Sequence, residues 1–289
     1  MKNPALLVFL ASVAPLHAVN LMLDFGSPPA NSVVAAPYLT LSPGHSTGAI
    51  PGSQTNWNTI TTSDNRSDLV YANGAAAGVT LDLGQETPGA TGIIDFGTAV
   101  GAVNLAGGGG GIQGQQGLLG TGSIYGDNTS STAVGRDGFF GAGTASTMGA
   151  IGLRLDGLAA GDYVAYVMAR NTNSNAASYP MNLYSSVGTT STSFTMSSVT
   201  ASQANPGYTT GAYAGQFTSF ILGDNYQTIS FTVAEGQSFF LAVDGGNDAV
   251  DRRGFLNALQ IVSVPEPSSS ALLLGGLGFL FTRRQRRAR

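Results

Sequence analysis

The chain has 289 residues, of which 41 are Gly, 10% are charged and none is Cys. That length is enough for one large or two smaller domains with a sizeable core, and the missing Cys excludes disulfides and thiolate metal sites. The formal charge of −4 hides an uneven distribution: between Val19 and Ser263 six Arg stand against fifteen Asp and Glu, a net of −9, which speaks against a nucleic-acid partner because that binding needs Lys and Arg to neutralise phosphates.

Residues 1–18 read as a secretory signal peptide. Lys2 supplies a positive start, Ala5–Ala14 is an apolar run of the right length, Pro15 breaks it, and Ala18 offers a small residue for signal peptidase before Val19. Leu16 stands where a smaller residue is preferred, so the cut position is open by several residues. A buried N-terminal helix is the alternative.

The body, 19–263, is read as all-β. Lys occurs only at Lys2 and Glu only at Glu86, Glu235 and Glu266, whereas exposed helix faces need charged, straight-chain residues. Short apolar runs punctuated by Gly, Asn, Ser and Pro predict strands over Val19–Phe25, Val79–Leu83, Ile151–Leu155, Tyr163–Ala169, Met181–Val187, Phe217–Leu222, Thr228–Val233, Phe239–Val243 and Phe255–Val262. The clearest alternation sets Ile229, Phe231 and Val233 against Thr228, Ser230 and Thr232, the pattern of a half-buried strand. The stretch from Asp156 to Tyr163 predicts a Gly-bearing turn with Leu158 and Tyr163 entering the core. The Gly-rich region 101–147 reads as an insertion, and Gly107–Gly111 within it is too costly entropically for a strand interior. Many short strands with turn signals predict a β-sandwich or jelly roll. The early Leu23–Gly26 strand, the Tyr163 strand entry and the closing Leu256–Ile261 strand give the body a layout similar to exported galactose-binding-like and carbohydrate-binding sandwich domains.

Candidate chemistry in the body is sparse. A hydrolase triad needs a histidine, and the body has only His45, with no Gly-x-Ser-x-Gly elbow beside it. A glycosidase needs two facing carboxylates; Asp127, Asp137, Asp156 and Asp244 are available, though Asp also caps turns. Asp244, Asp248 and Asp251, on a Gly-bearing loop, offer the hard oxygens that Ca²⁺ takes, with no EF-hand spacing and with Arg252 and Arg253 beside them. Trp57, the only Trp, sits among polar residues between Asn56 and Asn58, and can serve as a sugar-stacking platform or as a core anchor. Tyr125, Tyr179, Tyr208 and Tyr213 lie in similarly polar loops.

The tail, 264–289, has three parts. Pro265, Glu266 and Pro267 come first, then Ser268–Ser270 and the apolar run Ala271–Thr282, then Arg283, Arg284, Arg286, Arg287 and Arg289. As a helix, Ser268–Thr282 would extend about 22 Å at ~1.5 Å per residue, short against the ~30 Å of a bilayer core. The Arg cluster can lengthen it by snorkelling, and Arg beside a span favours the cytoplasmic side. The prolines and serines predict an extended, accessible strip in front of the membrane.

This order of motif, short Gly-containing apolar run and Arg cluster resembles the PEP-CTERM sorting domain of Gram-negative bacteria. The resemblance implies that the tail holds the protein in the inner membrane until an exosortase, a membrane cysteine transpeptidase, removes it. It also implies a surface or matrix protein among extracellular polysaccharide, with Pro265, Glu266 and Pro267 as the recognition element. A permanent tail anchor is the alternative. The whole reading is of a non-enzymatic exported protein associated with the exopolysaccharide envelope; a carbohydrate-binding module and a surface enzyme with a carboxylate site are the competing readings.

Overall fold

The computed structural model describes residues 19–26, 38–60, 65–87, 91–97, 103–104, 124, 133–135, 138–140, 149–170, 180–204, 218–245 and 253–265. In chain order the elements are β1 (Asn20–Phe25), α1 (Pro43–Ser46), β2 (Asn58–Ile60), β3 (Thr80–Glu86), β4 (Ile93–Asp95), β5 (Val103–Asn104), β6 (Phe139–Phe140) and β7 (Ile151–Asp156). They continue with β8 (Gly161–Met168), β9 (Met181–Thr189), β10 (Ser193–Thr195), β11 (Ala201–Gln203), β12 (Gln227–Val233), β13 (Gln237–Gly245), β14 (Phe255–Leu256) and β15 (Ala258–Val264). The body is mostly strand, as its composition predicts. Among the described residues the only helix is one turn long, and none is long and apolar enough to cross a membrane. The signal-peptide stretch, the Gly107–Gly111 run and the apolar run 271–282 with its expected helix lie outside the described residues. Val19–Ser263 form one compact unit; of the other, 1–18 with 264–289, only Val264 and Pro265 are described.

Two main sheets are present: a five-stranded one in the order β12-β8-β15-β1-β2 and a seven-stranded one in the order β10-β4-β3-β7-β13-β9-β11. A small sheet, β14-β6-β5, draws two strands from the Gly-rich 101–147 region. Period-2 alternation fixes the packing. On β13, Phe239, Leu241 and Val243 join the central core with Leu153 and Leu155 of β7, Tyr163 and Val167 of β8, and Ile229 and Val233 of β12. Burying one such side chain stabilises the fold by about 1.5–3 kcal/mol. Tyr163, Phe231 and Phe239 stack in sequence, with ring centroids 5.4 and 4.0 Å apart.

The Asp156–Tyr163 connection is the predicted turn. Gly157 adopts φ +85°, and a Cβ there would stand 2.7 Å from the Gly78 carbonyl oxygen. Leu158 is buried, and the Tyr163 hydroxyl donates to the Ala159 carbonyl at 2.8 Å.

Two strand expectations are corrected. Over Phe217–Leu222 the described residues form no strand: Asp224 and Asn225 N–H both donate to the Ile221 carbonyl, and the Asn225 side chain accepts from Ile221 N–H at 2.9 Å. The side chain of Asn225 thereby closes a turn that leaves Ile221 and Leu222 about half exposed. The run Phe255–Val262 is two strands in different sheets. Asn257 interrupts it, donating its N–H to the Met168 carbonyl and accepting from Arg170 N–H through Oδ1 at 2.6 Å.

Each main sheet also has an outer covering. Residues 38–57 form a strap over the five-stranded sheet, where Met22 and Val262 meet Ile50 and Trp57. On the seven-stranded sheet, β4 and β10 pair as a flap (Phe194 opposite Ile94) attached to β3 only at Gln85 and Glu86. Ile94, Phe96 and Phe194 pack on Phe240 and Ala242. The flap closes this far because Gly84 and Gly152 lie beneath it: a Cβ on either would come within 2.8 Å of Ile94 Cγ2.

Candidate functional site

Three places hold the sequence-predicted candidates or an open groove: the point where the body ends, the strap, and the side of the flap.

The body ends at the clasp between its first and last strands. β1 pairs antiparallel with β15, Asn20 opposite Val262. Beyond that pair, Val19 N–H donates to Ser263 Oγ at 2.8 Å and Ser263 N–H to the Val19 carbonyl at 3.2 Å. β15 runs to Val264, and exposed Pro265 follows with no spacer. Proline ends the ladder there, since it has no N–H to donate. Glu266, Pro267 and the cluster Arg283, Arg284, Arg286, Arg287 and Arg289 lie outside the described residues.

In the strap, Trp57 is half-buried. It packs against two apolar clusters, one containing Met22, Ile50 and Val262 and the other Met168, Tyr226 and Ala258, while Nε1–H donates to the Leu39 carbonyl at 3.1 Å. Neighbouring Asn58 is buried and backbone-bonded, its amide donating to the Met22 and Val70 carbonyls and accepting from Val70 N–H. Tyr125, Tyr179, Tyr208 and Tyr213 lie outside the described residues.

His45 stands on α1 in a relay of polar groups. Its Nε2 faces the Gln54 carbonyl at 2.8 Å, so Nε2 carries the proton and Nδ1 accepts from the Ser42 hydroxyl at 2.7 Å. Ser42 Oγ in turn accepts from Gln260 Nε2 at 2.8 Å, and Gln260 Oε1 accepts from Gly44 N–H at 2.8 Å. Asn20 closes the network through Gln54 Oε1 at 2.7 Å. Burial holds the His45 imidazole below its ordinary range, partly offset by the bond to Gln54. Ser42 is fully buried, and this Ser–His pair fastens the strap to β1 and β15.

Asp244, the next-to-last residue of β13, is almost buried opposite Asn182 of β9. Asp248, Asp251 and Arg252 lie outside the described residues, as do Asp127 and Asp137. Arg253 sits over the Phe140 and Phe255 rings at 5.4 and 5.5 Å. Among the described residues no three Asp, Glu or His side chains gather as cation ligands. Asp156 belongs to an ion-pair group: Arg154 meets Asp82 at 3.1 Å and Asp156 at 3.0 Å. Burial pushes the Asp82 carboxyl up against the opposing pull of Arg154. Arg154 also reaches the Ser191 carbonyl and the Phe96 ring, pinning the flap to β7.

Beside the flap lies a groove of about 400 Å³ on the outer face of the seven-stranded sheet, between β9 and β10, with Phe194 and Phe240 in its floor. Eight Ser and Thr hydroxyls line it. Sequence reasoning passed over these residues; the signal was the Ser/Thr density from Ser185 to Ser202, too regular for a plain loop.

Residues 263–287 match the PEP-CTERM protein-sorting motif. No curated protein matches the chain. The match spans Pro265, Glu266 and Pro267, the apolar run and most of the Arg cluster. The protein carries the signal of an exosortase substrate destined for the cell surface.

Proposed function

We propose that the body acts outside the cell without catalytic chemistry, retained among exopolysaccharide, after signal peptidase has removed residues 1–18 and exosortase the tail. In this reading the apolar run 271–282 holds the chain in the inner membrane only until exosortase acts, with the Arg cluster on the cytoplasmic side. The observation that carries it is the sorting motif at 263–287, starting where β15 stops. The low charge and the exposed Ser, Thr and Asn of the body suit a hydrated neutral polymer better than an ionic partner.

The test is replacement of Pro265, Glu266 and Pro267 together by Ala in the native host. The expected outcome is an uncleaved, membrane-associated form, seen by fractionation and intact mass. Mature protein of normal mass outside the inner membrane would overturn the sorting route.

A further inference from the structure

We propose that the groove between β9 and β10 is a binding site for a neutral saccharide chain. The inference rests on the envelope reading above and gives that reading a location.

Three observations converge on the groove. First, its lining is uncharged, consisting of Ser, Thr and Gly with two Phe. An anionic ligand would find no cation among those side chains, and a cationic one no carboxylate. Second, five of the eight hydroxyls are free to bind: those of Ser186, Ser193, Thr195, Ser197 and Ser198 are on exposed residues and bond to no other described residue, whereas Ser185 Oγ donates to Thr200 and Ser191 Oγ accepts from Ser193 N–H. A hydroxyl both donates and accepts, so a cluster of them matches a ligand whose groups do the same. Third, the Phe194 and Phe240 rings, 9% and 4% exposed, stack at 5.7 Å and close the bottom of the groove, so the hydroxyl-bearing residues are the part open to a ligand.

The groove is also built on a rigid frame. Phe240 is held by β13, paired on both sides with β7 and β9. β10 is fixed by its ladder to β4 and by the Arg154 bond to Ser191. A site held on strands keeps its geometry without ordering a loop on binding.

Affinity electrophoresis of the mature protein secreted by its host tests this. The probes are two neutral polysaccharides, dextran and a galactan, the anionic polymer alginate, and exopolysaccharide extracted from the host. Retardation by a neutral probe, lost at least tenfold in Ser186→Trp and Thr195→Trp and weakened in Ser186→Ala/Ser198→Ala, supports the site. Both Trp changes fall on exposed positions, and an unchanged melting temperature shows that the fold survives. Retardation untouched by filling the groove overturns the site while leaving the envelope reading intact. Retardation by alginate alone, or by host polymer alone where that polymer proves charged, overturns the neutral-saccharide assignment; retardation by an uncharged host polymer, lost on filling the groove, supports the site. Retardation by none of the four overturns both the site and the exopolysaccharide reading.

Discussion

The strap over the five-stranded sheet and the flap over the seven-stranded sheet cover the same kind of surface by different means. The strap is sealed by a buried relay, Gln260–Ser42–His45–Gln54–Asn20, and by an indole shared between two apolar clusters. The flap is held by apolar contact over two glycines and one arginine, and it leaves exposed hydroxyls beside it. A polar network of this kind is costly to leave unpaired, and Asn20 Oδ1 already lies buried without a partner among the described residues, so the strap has little tolerance for another lost bond. The flap side has fewer such constraints, so substitutions there can be accommodated without unfolding the body.

The largest expected effect lies on the sealed side. Trp57→Ala removes packing from both clusters and the bond to Leu39, and should cost about 3 kcal/mol, the low end for a large aromatic because the ring is only half-buried. A melting temperature within a degree or two of wild type would break the distinction between the two faces. Next comes Gly152→Val. The new side chain would collide with Ile94, 2.8 Å from the added Cβ, and with the Leu241 carbonyl at 3.1 Å. Lifting the flap should cost about 1–3 kcal/mol in urea unfolding, and the groove should lose its saccharide binding with it.

A pH effect sharpens the comparison further. The His45 imidazole is neutral in the fold and titrates below its ordinary value of 6.5. Below that pH the unfolded chain binds the proton first, so stability falls as pH drops from 6.5 toward the folded value and is constant above it. A protonated ring would turn Nδ1 into a donor facing Ser42 Oγ, forcing the serine to find another acceptor inside the strap. The slope should vanish in His45→Gln, measured between pH 7 and about 5, before most carboxylates begin to titrate. The smallest effect is on the open side, where Ser186→Trp should shift stability by less than about 0.5 kcal/mol.

Much of the all-β body was legible because its signals are local. The Ile229–Phe231–Val233 alternation and the Gly157 turn state their structure within a few residues. The Phe217–Leu222 run misleads because Asn225, several residues on, closes it into a turn. Asn257 splits an apolar run through partners at Met168 and Arg170, almost ninety residues away. The flap was hidden for the same reason: three-residue strands such as Ile93–Asp95 carry no periodicity, and Gly84 and Gly152 reveal their purpose only when Ile94 is seen above them. At the functional level the tail was readable because its motif, apolar run and Arg cluster are contiguous in sequence. A groove assembled from β9, β10 and β13 is written only in space.

The clasp at Val19 and Ser263 also sets the order of events during synthesis. The first and last strands are neighbours in the five-stranded sheet, yet their joining residues are 244 positions apart. Such a contact cannot form until nearly the whole body has emerged, and closing so long a loop slows folding. β1 must therefore wait, with its apolar face open, for the strand that immediately precedes Pro265. The body completes its sheet only when the sorting signal is itself arriving, which makes maturation of the fold a late timer tied to the appearance of the tail.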